Sequence, residues 1–133
     1  MLTTRRRLDM TKENEVSVMT WNVLNQRAAL RHNETYHENE NPYLNTFSRR
    51  CKYIAREIQR VNCDVVMLQE LDKINFPLLR DELSDVYEGR VKHPSHSWTN
   101  AIFYRKSKFK YEFDDSRGAR TFALALRLSL IHI

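Results

Sequence analysis

Two polar residues close apolar runs in this chain: Asn22 ends "VSVMTWN" and Glu70 follows "CDVVMLQ". An amide at one position can donate a hydrogen bond to an oxyanion, and a carboxylate at the other can hold a hard divalent cation. Side by side they make half of a phosphodiester-cleaving site. Magnesium suits such a site, because it keeps several waters and takes one or two carboxylates plus substrate oxygens. Taken singly, each residue has a plainer reading. Asparagine after a strand forms turns, and glutamate after a buried strand starts a helix or sits in a solvated loop.

The elements that must position the pair are legible around it. Residues 16–23 are rich in β-branched and aromatic side chains and predict a first strand that ends at Asn22. From Phe47, apolar residues recur at Cys51, Ile54, Ala55, Ile58 and Val61, the three-and-four spacing of one helical face. Arg49, Arg50, Lys52, Arg56, Glu57 and Arg60 fall elsewhere on that helix. A short buried strand over 65–68 follows, and Glu70 is expected where it leaves the sheet. Strand, helix and strand in this order form a βαβ unit, whose parallel strands present their C-terminal ends on one edge of the sheet. Open α/β sheets gather their ligands at that edge, so Asn22 and Glu70 are expected there together.

The remaining pattern is less specific. The segment "NQRAALRHNETYHENENPYLN" reads as a long polar loop, of the kind that is usually functional or disordered. A second helix is expected over 76–83, started by Pro77. Then "NAIFYRKSKFKYEF" reads as strand, tight turn over 106–108, and strand, and residues 122–130 alternate as a half-buried strand. The opening 15 residues, with Arg5, Arg6 and Arg7, read as a charged, solvated extension; Asp9, Glu13 and Glu15 are unlike an organelle-targeting segment.

At 133 residues the chain can hold one modest domain, and its formal charge of +5 favours an anionic partner. Arg105, Lys106, Lys108 and Lys110 are open to two readings, a phosphate track or a solvated hairpin face. Cys51 and Cys63 lack metal or redox spacing and read as reduced thiols in an intracellular, cytoplasmic setting. No run is long enough to span a membrane as a helix, and no membrane partner is expected. His93 and His96 invite zinc, but two histidines without further ligands read as solvent-exposed; nothing selects a role for His32 and His37.

Taken in order, "VSVMTWNVL", the helix, "NCDVVMLQELD" and "NAIFYRKSKF" resemble the first half of the endonuclease/exonuclease/phosphatase family. The segment "PYLNTFSRRCKYIAREIQRVNCDVVMLQELD" is most similar to its deadenylase branch, of carbon catabolite repressor, nocturnin and Angel type. The resemblance implies an α/β fold, the first half of a two-sheet α/β sandwich of the pancreatic DNase kind, over residues 16–127. It implies that Asn22 orients the phosphate and the hydrogen bonds of the active site and that Glu70 binds magnesium. The implied activity is magnesium-dependent phosphodiester hydrolysis, as a 3′–5′ exoribonuclease on poly(A) RNA. Another phosphodiester substrate stays open, as do two other functions: a different phosphoester hydrolase of the family, such as a DNA-repair endonuclease or an inositol-phosphate phosphatase, or a catalytically dead RNA-binding protein.

Two departures from the family pattern stand out. Where many deadenylases carry Asp-Gly-Cys, this chain has Trp98, Thr99 and Asn100, and the family's later Gly-Asp-x-Asn segment and final Asp-His pair have no counterpart. The terminal "LSLIHI" is the translation of CTGTCTCTTATACACATC, which resembles a transposase-adapter end, so residues 128–133 read as adapter-derived read-through. The chain by itself is therefore expected to be truncated, marginally stable and inactive.

Overall fold

The computed structural model describes residues 4–8, 15–25, 28, 47–91, 98–115 and 123–128. Ten elements follow in order: β1 (Thr4–Leu8), β2 (Val16–Asn22), α1 (Phe47–Val61), β3 (Val65–Asp72), a 3₁₀ turn (Lys73–Asn75), α2 (Phe76–Leu83), β4 (Tyr87–Val91), β5 (Trp98–Arg105), β6 (Phe109–Asp115) and β7 (Ala123–Leu128). Five strands form one sheet in the order β1-β2-β3-β5-β4, and β6 and β7 pair as a second, two-stranded sheet. The expected mixed α/β architecture with two sheets is present.

Helix α1 forms where the three-and-four spacing places it. Cys51, Ile54, Ala55 and Ile58 are buried, while Lys52, Arg56, Gln59 and Arg60 are exposed. The helix stops at Asn62, whose φ of 55° is left-handed and whose N–H donates to the Ile58 carbonyl at 2.9 Å. Asparagine tolerates this conformation better than most residues, which makes it an effective helix stop. Helix α2 has Pro77 in its first turn, where the missing N–H costs nothing, and buries Phe76, Leu79 and Leu83.

Strands β2 and β3 pair in parallel with Trp21 opposite Leu68 and Asn22 opposite Gln69. Every second residue on them is buried: Met19 and Trp21, then Val66 and Leu68, joined by Ala101 and Phe103 of β5. These side chains and the apolar faces of α1 and α2 make one core. Phe76 of α2 stacks on Phe103 with ring centroids 5.7 Å apart.

Two strands differ from the sequence expectation. The arginine-rich segment read as a solvated extension contributes β1, an edge strand antiparallel to β2; edges accept charged residues because one side of the strand faces water. Strand β4, "YEGRV", carries a central glycine and two charged residues in five positions, which obscure its strand pattern in the sequence. Gly89 is required there by space: a Cβ at this position would lie 2.4 Å from Phe103 Cε1. Tyr87 secures the strand by donating its hydroxyl to the Cys63 carbonyl at 2.6 Å.

The sheet face opposite the helices carries Val18, Thr20 and Val65 half-buried, Met67 exposed, and Ile102 and Tyr104 buried. Arg90 of β4 places its guanidinium 3.5 Å from the Tyr111 ring centroid and so ties the main sheet to β6. Strand β7 pairs with β6 as far as Leu128 opposite Phe109. Residues 129–133, most of the expected read-through, lie outside the described residues, as do His32, His37, His93, His96 and most of the polar loop.

Candidate active site

Strand β3 does not leave the sheet at Leu68. It runs on to Asp72 through a register shift: Leu68 faces Ala101 and Leu71 faces Thr99, so Gln69 and Glu70 together oppose the single residue Asn100. This is a β-bulge, a device that re-aims side chains. Glu70 occupies its second position with φ 58°, a left-handed conformation that costs a non-glycine residue about 1–3 kcal/mol. The expectation of a residue at a strand's exit is thus corrected to a residue in a strained bulge within the strand.

The parallel register brings the two predicted residues together. Asn22 Nδ2 donates to Glu70 Oε1 at 3.0 Å. Asn25 Nδ2 donates to the other oxygen, Oε2, at 2.9 Å. Both amides are themselves oriented: Asn22 Oδ1 accepts the Leu24 N–H at 2.9 Å, and Asn25 Oδ1 accepts the Ala28 N–H at 3.0 Å. With each carbonyl oxygen committed to a backbone donor, each NH2 group is left facing the carboxylate. Glu70 is half-buried and Asn22 exposed, so the group sits at the rim of the sheet.

The loop after β2 is held against β3 and α1. Val23 N–H donates to the Gln69 carbonyl at 3.0 Å, continuing the ladder one residue beyond the strand. Leu24 then turns at φ 60°. Arg50 of α1, only 4% exposed, donates through Nη2 to the carbonyls of both Val23 and Leu24. Burial pulls the Arg50 guanidinium below the usual arginine value, and the charge of Asp72 pushes the other way. Gln69 Nε2 donates to Thr20 Oγ1 at 3.0 Å and locks the bulge to β2.

Arg50 and Asn25 are the residues that sequence reasoning missed. Arg50 reads as part of a polar helical face, yet it is buried because two loop carbonyls need a donor there. Asn25 carries one weak signal, its position three residues after Asn22 in "NVLN". The basic segment expected as a hairpin is also reassigned, since β5 and β6 lie in different sheets. Arg105 Nε and Lys108 Nζ bind Asp64 at 3.2 and 2.9 Å, and Lys106 Nζ donates to the Ser84 carbonyl at 2.5 Å. Arg105 and Lys108 thus serve the opposite end of β3 from Glu70, as neither a phosphate track nor a purely solvated face.

Known structures share this arrangement of elements. A structure of ANGEL2, described as a 2′,3′-cyclic phosphatase in complex with adenosine-2′,3′-vanadate, superposes with a TM-score of 0.73 at 23% identity, covering 98% of this chain and 42% of that one. Truncated TDP2 from Caenorhabditis elegans gives a TM-score of 0.58 at 25% identity, covering 92% and 44%. The human nocturnin catalytic domain with bound sulfate gives 0.59 at 23%, covering 93% and 48%. The chain therefore spans less than half the length of these relatives. No curated protein sequence matches it. The sequence itself matches the Endonuclease/Exonuclease/phosphatase family over residues 19–130, a span that takes in the end of β2, the bulge and the turn between β5 and β6. By that match, the chain belongs to the Endonuclease/Exonuclease/phosphatase family.

Proposed function

We propose that Asn22 and Glu70 are part of the active site of a magnesium-dependent phosphoester hydrolase, in a protein that carries this chain with the rest of the family's domain. The observation that carries the reading is the 3.0 Å hydrogen bond between them at the C-terminal edge of a parallel strand pair. A carboxylate held by two neutral amides keeps its negative charge available to a cation, and its oxygens are hard donors. A carboxylate oxygen suits magnesium better than zinc, which favours nitrogen and sulfur ligands. When bound, magnesium would supply charge neutralisation on a phosphoryl oxygen. Glu70 would hold it, and Asn22 would anchor one oxygen of the Glu70 carboxylate beside the phosphate.

The preferred substrate class is RNA attacked from its 3′ end, with poly(A) as the first candidate; the net charge of +5 suits a polyanion. The likeness to ANGEL2 favours one second reading, hydrolysis of a 2′,3′-cyclic phosphate at an RNA terminus. The test is to assay the complete protein with magnesium on poly(A) RNA, on RNA ending in a 2′,3′-cyclic phosphate, on abasic DNA and on inositol phosphates. Progressive shortening of poly(A) from the 3′ end, abolished by Glu70→Gln, is the expected result. Action on the terminal phosphate with no change in RNA length would select the second reading. Turnover that survives Glu70→Gln on every substrate would overturn the role of Glu70.

A further inference from the structure

We infer that Asn25 is a positioning residue of this site, acting through Glu70 to set how tightly the site takes magnesium. The inference rests on the reading of Glu70 as the magnesium ligand and extends it to a residue outside that assignment.

The geometry carries it. Glutamate's terminal torsion is broad and nearly two-fold, so one hydrogen bond at one oxygen leaves the carboxylate plane free to rock. Asn22 supplies one such contact, at Oε1. Asn25 supplies the second, at Oε2, and a planar group held at both ends has one orientation. The donor is uncharged, so it orients the carboxylate without neutralising it. A lysine or arginine in its place would hold Glu70 equally well and compete with the cation.

Asn25 can reach Glu70 only because its backbone is turned back over the bulge. Leu24 makes that turn in the left-handed region, and Arg50 pins the carbonyls of Val23 and Leu24 immediately before it. The Ala28 N–H then fixes which face of the Asn25 amide points to the carboxylate. The Leu24 turn, the Arg50 clamp and the Ala28 contact converge on placing one NH2 group 2.9 Å from Oε2. A loop residue whose sole task was to close a turn would need the Ala28 contact alone.

Serine at position 25 separates the two roles, since its hydroxyl can still accept the Ala28 N–H but is too short to reach Glu70. In the complete protein, Asn25→Ser is expected to raise the half-activating magnesium concentration about tenfold, as for loss of one charge-assisted hydrogen bond. Turnover should largely recover at saturating magnesium, with KM for the nucleic acid unchanged. A readout independent of activity is the side-chain amide NMR signal of Asn25, which should shift when magnesium alone is added and should lose that response in Glu70→Gln. If Asn25→Ser leaves the magnesium requirement unchanged while Glu70→Gln abolishes magnesium binding, the inference is overturned and the Glu70 assignment stands. If Glu70→Gln itself leaves magnesium binding intact, the assignment fails and the inference with it. Should the serine variant not fold, an Asn25 amide signal that stays still at saturating magnesium in the unsubstituted protein overturns the inference on its own.

Discussion

Two carboxylates, Asp64 just before β3 and Glu70 in its bulge, are held in opposite ways. At the strand's entry, Asp64 accepts the Ser17 N–H at 3.0 Å and the Ser17 hydroxyl at 3.2 Å, and pairs with Arg105 and Lys108 at 3.2 and 2.9 Å. Its own backbone N–H donates to Ser17 and its carbonyl accepts from the Arg105 N–H, so one residue ties β2, the start of β3, β5 and the turn after β5 together. Near the exit, Glu70 is held by the amides of Asn22 and Asn25 and by no cation among the described residues. The side chain of Asp64 is 15% exposed and its charge is matched by two cations, whereas that of Glu70 is oriented and matched by no cation among the described residues. If Glu70 is the magnesium ligand proposed above, partner type separates a structural carboxylate from a functional one more sharply than burial or position does. Cations finish an ion pair, while amides aim a charge and leave it available.

Exchanging the two ends experimentally should break the comparison if it is wrong. The largest effect is expected for Glu70→Gln in the complete protein, which should lower magnesium-dependent turnover by about 10²–10³-fold or more, the size seen when a charge-stabilising group is removed. Its effect on folding should be small, about 1 kcal/mol, because the glutamine carbonyl can still accept one of the two amide donors. Asp64→Ala should do the reverse. It takes the carboxylate from Arg105 and Lys108, which keep Asn62 and the Glu15 carbonyl as acceptors, and unpairs the Ser17 N–H, so denaturant titration should show a loss of about 1–3 kcal/mol, with kcat per folded molecule unchanged. An Asp64 variant that is stable but inactive would dissolve the distinction.

Arg50 lies between these extremes, being structural in its contacts and functional in what it positions. Arg50→Met keeps much of the side-chain volume but removes the donor from two loop carbonyls. The expected cost is about 1–3 kcal/mol in the unfolding transition, together with a rise in the magnesium requirement resembling that of Asn25→Ser. Loss of stability with an unaltered magnesium requirement would mean that the loop keeps its shape without the clamp.

The same contrast explains which parts of the molecule were legible in the sequence. Elements built by apolar periodicity were: α1 and α2 run over the expected residues, and β2 and β3 pair as the βαβ order requires. Asn22 and Glu70 meet because parallel register is a consequence of that order. What could not be read depends on contacts between distant residues. The bulge at Glu70 arises from pairing with β5, the burial of Arg50 from a loop bent over α1, and β4 from a glycine that lets Phe103 approach. A charge reads as solvent-facing in one dimension, and Arg50, Asp64, Arg105 and Lys108 are all charges that the fold takes partly or wholly out of water.

The smallest expected effect is on acid stability, and it isolates Asp64 without disturbing the site. Burial pushes the Asp64 carboxyl upward, but the Ser17 amide and the Lys108 and Arg105 cations outweigh it and hold the group below the ordinary aspartate value. A group whose folded pKa is depressed contributes stability that is fully present above its unfolded pKa, about 4 for aspartate, and is lost as pH falls through the folded value. Stability should therefore decline on going from about pH 5 towards pH 2, and Asp64→Asn should flatten that part of the profile while lowering the plateau above it. Asparagine keeps an acceptor for Ser17 but has no charge for Lys108 and Arg105, so the plateau should fall by less than in Asp64→Ala. An acid limb of the same steepness in Asp64→Asn would assign the titration to other carboxylates, and the entry of β3 would then be held by the Ser17 hydrogen bonds and not by charge.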